Sequence, residues 1–137
     1  MPSDNENLIR TAYEAYSRGD LSQLLELVDP DLEWTYLDPA HENPEPQTCH
    51  GRPELERALR GQAGRGLVSQ LEEVIAHGDK VMVVARTPGI DQRRAWQADD
   101  RNYLVLTLQQ GRIIAMRACR GREEARGFAG IGPDPMT

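Results

Sequence analysis

Aromatic side chains are scarce in this chain: one Phe, two Trp and four Tyr among 137 residues. The core must therefore be built from aliphatic residues, and any place where the aromatics gather stands out. Cysteine is scarcer still. Cys49 and Cys119 show neither a C-x-x-C motif nor a disulfide-framework spacing, so two free thiols in a reducing compartment are expected. The longest aliphatic run, Val81 to Ala85, is far too short to cross a bilayer. The acidic start, Met1 to Glu6, leads into no apolar stretch of the signal-peptide kind. The expectation is a cytoplasmic protein with no membrane partner. Positive charge is in deficit, with 16 Lys and Arg against 22 Asp and Glu and a net charge of −6. Phosphate binding needs a basic face, so a nucleic-acid partner is not expected. What is present is ordinary for a globular protein: 39% hydrophobic and 28% charged residues. The length suits one domain over 1–137, with no internal repeat. Its ordered core is expected over about 5–131, and the Pro-bearing tail 132–137 is expected to be mobile.

Hydrophobic periodicity gives the elements. Ser3 and Glu6 are spaced as a capping box, and Leu8, Ile9, Ala12, Tyr13, Ala15 and Tyr16 follow at helical spacing. Gly19 suits a helix stop, and Asp20 suits the cap of a second helix whose stripe is Leu21, Leu24, Leu25 and Val28. Asp29-Pro30 ends it, because the residue before Pro is pushed out of the α region. A strand is expected over 32–38, where Trp34, Tyr36 and Asp38 share a face. The Pro-rich stretch 39–51 reads as a loop. Pro53 suits the first turn of a third helix bearing Leu55, Ala58 and Leu59, which Gly61, Gly64 and Gly66 end. Strands over 67–77, 80–87, 96–108 and 112–120 form an antiparallel meander, and a short helix over 122–128 follows. Helices gathered at one end of such a sheet mean an α+β fold.

Three segments carry a resemblance to a known family. The first is Ala15-Tyr16-Ser17-Arg18-Gly19-Asp20-Leu21 with Leu27-Val28-Asp29-Pro30-Asp31-Leu32-Glu33-Trp34. The second is Val74-Ile75-Ala76-His77-Gly78-Asp79-Lys80-Val81. The third is Gln110-Gly111-Arg112-Ile113-Ile114-Ala115-Met116-Arg117, running into Gly121-Arg122-Glu123-Glu124-Ala125. In this order the chain resembles the nuclear transport factor two-like superfamily, and within it the SnoaL-like group, with a more distant similarity to ketosteroid isomerase. The resemblance implies a cone-shaped, curved antiparallel (mixed) sheet, with helices packed over the concave face around a pocket. It also implies no cofactor, and a homodimer through the outer sheet face, where Arg117 and Cys119 would point. Isomerases, epoxide hydrolases, cyclases, dehydratases and non-catalytic binders share this fold, so it names no activity by itself.

By that similarity, strand parity turns four sets of side chains inward: Trp34, Tyr36 and Asp38; Met82, Val84 and Arg86; Arg101, Tyr103 and Val105; Met116, Ala118 and Arg120. With Tyr13, and apart from Asp38 and Tyr103, these are the candidate ligand-binding residues; Asp38 and Tyr103, with Tyr16, are the candidate catalytic residues. Ketosteroid isomerase implies a carboxylate base and donors to an oxyanion; Asp38 is the nearest carboxylate, and Tyr16 and Tyr103 are the nearest donors. The family's positions fall on Tyr36, Ala12 and Tyr103, so its pattern is not kept. The plainer reading is amphipathic core tyrosines with satisfied hydroxyls. The water-activating relay of the epoxide hydrolases lacks its last-strand acid, where Ala118 stands. Arg86 and Arg120, if inward, would need Asp38 or an anionic ligand as partner. His41, Cys49 and His50 match no zinc spacing, and no metal is expected. Two functions stay open. One is a cofactor-free isomerase- or cyclase-like enzyme that moves a proton next to a carbonyl. The other is a non-catalytic pocket for a small apolar or amphiphilic ligand, or a dimeric interaction protein.

Overall fold

A computed structural model describes residues 4–37, 45–67, 69–89 and 100–132. The first helix, α1, spans Asp4–Ser17 and buries Ile9, Ala12, Tyr13, Ala15 and Tyr16. It ends in a Schellman-type stop: the Asp20 N–H donates to Ala15 O (3.0 Å) and the Gly19 N–H to Tyr16 O (2.9 Å). Gly19 has φ +92°, which a side chain would resist. Asp20 then starts the next helix, its Oδ1 accepting from the Ser22 N–H (2.9 Å) and the Ser22 hydroxyl (2.6 Å). This helix, α2, spans Ser22–Leu27.

Two boundaries differ from the sequence expectation. The first strand, β1, is Val28–Tyr36 and so begins before Asp29-Pro30, where the second helix was expected to end. Pro is tolerated there because the ladder is irregular between Val28 and Glu33 and the Asp31 N–H turns back to Asp29 Oδ1 (2.9 Å). Inside the expected loop lies a short strand, β2, Gln47–His50. It pairs antiparallel with β1, and Thr35 and Thr48 hydroxyls meet at 2.9 Å. Its residues are mostly polar because it is an exposed sheet edge, so it carries no apolar alternation to read.

Helix α3 spans Arg52–Gly64, running past Gly61 before it stops. The meander follows as β3 (Gln70–His77), β4 (Lys80–Arg86), β5 (Arg101–Gln109) and β6 (Arg112–Cys119), then α4 (Arg122–Ala129). Gln110 and Gly111, at φ +53° and +76°, make the tight turn between β5 and β6. The sheet order is β2-β1-β6-β5-β4-β3. Every pair is antiparallel except β1 with β6, so the sheet is mixed, curved and unclosed.

The two faces of this sheet are both covered. Residues of α1, α2 and α3 pack with Val81, Val83, Ala85, Leu106 and Met116 in the main core. Helix α4 lies on the opposite face, where Ala125 and Ala129 pack with Met82, Val84, Val105 and Cys119. The expected inward sets on β4 and β5 are therefore corrected: Met82, Val84 and Val105 belong to the outer face. The reason lies in the burial of the strand. Val81 to Ala85 are all buried, so alternation marks no side, and α4 supplies the second apolar layer that makes this possible. On β6 the expected parity holds, helped by an irregularity of the ladder at Thr107/Leu108 that lets Ile113 and Met116 both face the main core.

Candidate functional site

Between the concave face and α1–α3 lies a cavity of about 310 Å³. That is the lower end of the range for small-molecule sites. All four tyrosines of the chain, with Trp34, line it. The aromatics that are scarce in composition are thus concentrated in one place. Tyr13 and Tyr16 come from one face of α1, with ring centroids 6.1 Å apart. Trp34 and Tyr36 alternate on β1 and stack obliquely at 5.1 Å. Leu55, Ala58, Leu59 and Gln62 of α3 close one wall, and Ala85, Leu104, Met116 and Ala118 form the sheet floor. Tyr103 and Cys119, paired across β5 and β6, belong to both faces: they pack with the outer cluster and line the cavity.

None of the described lining residues is charged. The polar atoms are hydroxyls and amides. The Tyr36 hydroxyl donates to Gln47 Oε1 (3.2 Å). Asn102 Nδ2 donates to Thr87 Oγ1 (2.7 Å), which lies 2.7 Å from Ser69 Oγ. The Tyr16 hydroxyl is buried and has no hydrogen-bond partner among the described residues. Burial pushes its pKa up, and the neighbouring Ser69 hydroxyl pulls it partly back without reaching hydrogen-bond geometry. Burial likewise raises the Tyr13 phenol, with Tyr16 adding to the effect. Cys119 is pushed up to about 12 by burial and by Glu124, so its thiol is protonated and unreactive at neutral pH.

The sequence-derived candidates divide clearly. Tyr13, Tyr16, Trp34, Tyr36, Tyr103, Met116 and Ala118 converge on the cavity. Met82, Val84 and Val105 lie on the other face of the sheet. Arg86 and Arg101 are engaged by carboxylates away from the cavity, and neither they nor Arg120 line it, which corrects the inward placement of all three and the cationic spot expected from Arg86 with Arg120. Arg86 makes a two-pronged pair with Asp100, both contacts at 3.0 Å, and Arg101 pairs with Glu72 at 2.8 Å. A charge at a strand end stays where water and a carboxylate are available. Arg120 is exposed beyond the end of β6. Asp38 lies outside the described residues, although Leu37, just before it, lines the cavity. Sequence reasoning missed Ser69, Thr87 and Asn102. A hydroxyl or amide at a strand end reads as a turn residue, and nothing in its spacing signals a shared network.

Among the described residues no group of three or more His, Cys, Asp or Glu side chains could hold a metal ion. No helix there is long and apolar enough to cross a membrane.

The chain is similar to several solved structures that share this architecture. A nuclear transport factor two-like protein of unknown function from Burkholderia pseudomallei is 23% identical, with 93% of this chain and 98% of that one covered and a TM-score of 0.65. A candidate polyketide cyclase from Sinorhizobium meliloti is 19% identical, covering 87% and 95%, with a TM-score of 0.60. A candidate ketosteroid isomerase from Kribbella flavida is 15% identical, covering 83% and 75%, at 0.59. At these identities the likeness shows the fold alone. No curated protein matches the sequence. The family model for the SnoaL-like domain matches residues 9–116, which start within α1, include α2 to β5 and run into β6. The chain therefore belongs to the SnoaL-like domain family.

Proposed function

We propose that this protein binds a small, flat, largely apolar molecule through one hydrogen-bond acceptor, such as a carbonyl oxygen. The observation that carries the reading is the Tyr16 hydroxyl, buried with no partner among the described residues in a cavity whose described walls are uncharged. An unsatisfied buried hydroxyl costs about 1–3 kcal/mol, and an acceptor on a ligand offsets that cost. The paired rings of Trp34 with Tyr36 and of Tyr13 with Tyr16 offer faces and edges to a planar ligand. An anionic ligand is disfavoured, because no described lining residue is cationic to offset its desolvation. The test is displacement of an apolar fluorophore by a naphthyl ketone, with Tyr16→Phe as the variant. The affinity should fall about tenfold, the worth of one buried hydrogen bond, with no loss of stability. Equal affinity in the variant overturns the reading.

A second reading makes the pocket an isomerase- or cyclase-like active site, with Asp38 moving a proton and Tyr16 and Tyr103 holding the developing oxyanion. Its support is the position of Leu37 on the cavity wall and the likeness to structures described as a cyclase and a ketosteroid isomerase. With no carboxylate among the described lining residues, it rests on Asp38. Exchange of α-protons of an enolisable ketone into deuterated water, followed by NMR, tests it. Asp38→Asn should abolish the exchange, and unchanged exchange removes this role.

A further inference from the structure

Helix α3 is attached to the rest of the protein more sparsely than the other long helix. Helix α1 buries five side chains along Asp4–Ser17, whereas α3, nearly as long, buries Leu55 alone. The next buried residue along the chain is Leu67. These two are anchors. At the first, the Gly51 N–H donates to Leu32 O (2.8 Å) and Leu55 packs in the main core. At the second, the Leu67 side chain lies against Gly89, where an added Cβ would come within 3.2 Å of Leu67 Cδ2. Residues 56–66, between the anchors, are exposed or half-buried throughout. Their ion pairs among the described residues, Arg57 with Glu54 and Arg60 with Glu56, stay within the helix.

This segment faces the cavity. Ala58, Leu59 and Gln62 line it, and Leu59 also touches the edge of the main core. Much of their inner surface therefore meets a void, where the buried stripe of α1 meets packed side chains. Two glycines weaken the same stretch. Gly61 lies inside α3 and Gly64 ends it. Neither has a positive φ, and a Cβ on either would meet nothing within 4 Å. No turn and no close approach requires glycine at these positions. In a helix interior alanine is favoured over glycine about fourfold, so the two glycines make the stretch easier to unwind. A segment with few buried contacts opens more readily than the elements around it.

We propose that residues 56–66 are the gate of the cavity: the segment opens between Leu55 and Leu67 to admit the ligand, and the bound ligand closes it by giving Ala58, Leu59 and Gln62 a surface to pack on. This rests on the binding reading given above and adds the route of entry. Tyr13 and Tyr16, which the ligand must reach, are both buried. Of the described helices around the cavity, α3 has the fewest buried side chains and so yields most easily.

Amide hydrogen exchange and stopped-flow binding of acetylnaphthalene test this on the full chain. In the unliganded protein the amides of 56–66 should exchange at least about tenfold faster than those of 9–16 in α1, and saturating acetylnaphthalene should slow them about tenfold. Gly61→Ala/Gly64→Ala has room for both methyl groups and alters no lining side chain. It holds the gate shut in the free and the bound protein alike. The association and dissociation rates should therefore fall together, by about tenfold for the two substitutions, while Kd stays within about twofold. Native rates in the variant overturn the proposal. So does exchange in 56–66 as slow as in α1. A change in Kd carried by the dissociation rate alone also overturns it, because α3 is then a fixed wall. In each of these cases acetylnaphthalene still binds, and the binding reading stands without the gate. If it binds neither protein, the binding reading fails and the gate falls with it.

Discussion

The two faces of β4 and β5 are made of the same kinds of residue and do different things. The outer face carries Met82, Val84 and Val105 and is sealed by Ala125 and Ala129 of α4. The inner face carries Val83, Ala85 and Leu104, and Ala85 and Leu104 open onto the 310 Å³ cavity. Apolar character alone does not separate a packed face from a binding face. The difference is what stands opposite: small alanines of a short helix that close up on one side, and tyrosine and tryptophan rings that leave a void on the other. On the inner face a void lies beside the Tyr16 hydroxyl, which is buried with no partner among the described residues, and the proposed binding role rests on that feature.

The contrast can be broken most forcefully on the packed face. Met82→Ala leaves a cavity where none exists, and urea denaturation should show a loss of about 2–5 kcal/mol. Ligand affinity of the folded fraction should be unchanged. A loss below about 0.5 kcal/mol would mean that α4 does not seal this face.

A matched pair of enlargements sharpens the comparison. Ala125→Leu adds volume between α4 and the sheet and should cost about 1–3 kcal/mol in the same assay, through overpacking. Ala118→Leu adds the same volume to the cavity wall, where there is room. Its stability should stay within about 0.5 kcal/mol of the native protein while binding of a naphthyl ketone weakens. Equal stability effects would erase the distinction between the faces.

The thiols report the same difference kinetically. Cys119 is 1% exposed under α4 with its pKa raised, whereas Cys49 is partly exposed on the edge strand β2. Iodoacetamide at mildly alkaline pH should label Cys49 first and reach Cys119 only on unfolding; mass spectrometry of the labelled peptides reads the order.

The smallest effect is expected for Arg86→Ala. Its partner Asp100 is held below its ordinary carboxylate range, chiefly by the hydrogen bonds from Arg86. The pair's contribution is therefore present at neutral pH and is lost as pH falls through the lowered Asp100 value. Because the Arg86 end of the pair is open to solvent, its contribution is slight and screened by salt. The variant should keep native ligand affinity, since Arg86 points away from the cavity. A large loss of affinity would restore the inward orientation of β4.

Much of the fold was legible because local rules act alone where one face is buried and the other wet. The stripe of α1, the Gly19 stop and the Asp20 cap follow from residues within a few positions of one another. That the tyrosines of α1 and the Trp34/Tyr36 pair of β1 would face a cavity was implied by the family resemblance; local spacing alone shows only that each pair shares a face. Strand β2 was hidden, because only Cys49 of its four residues is apolar and its partner lies more than ten residues away. The orientation of β4 was hidden by the opposite circumstance. With Val81 to Ala85 buried throughout, period-two alternation has no wet side to mark.

By itself, then, the amino-acid sequence determined the α+β class, most element positions, the family resemblance and the gathering of tyrosines near one wall. These depend on local spacing and on side-chain character. The tertiary structure alone decided that α4 covers the outer face, that Arg86 and Arg101 pair with Asp100 and Glu72 away from the pocket, and that Ser69, Thr87 and Asn102 meet. The physical reason is that each of these depends on which distant groups satisfy a buried surface, a charge or a proton. Such partners are chosen when the sheet is assembled, not by the spacing of residues along the chain.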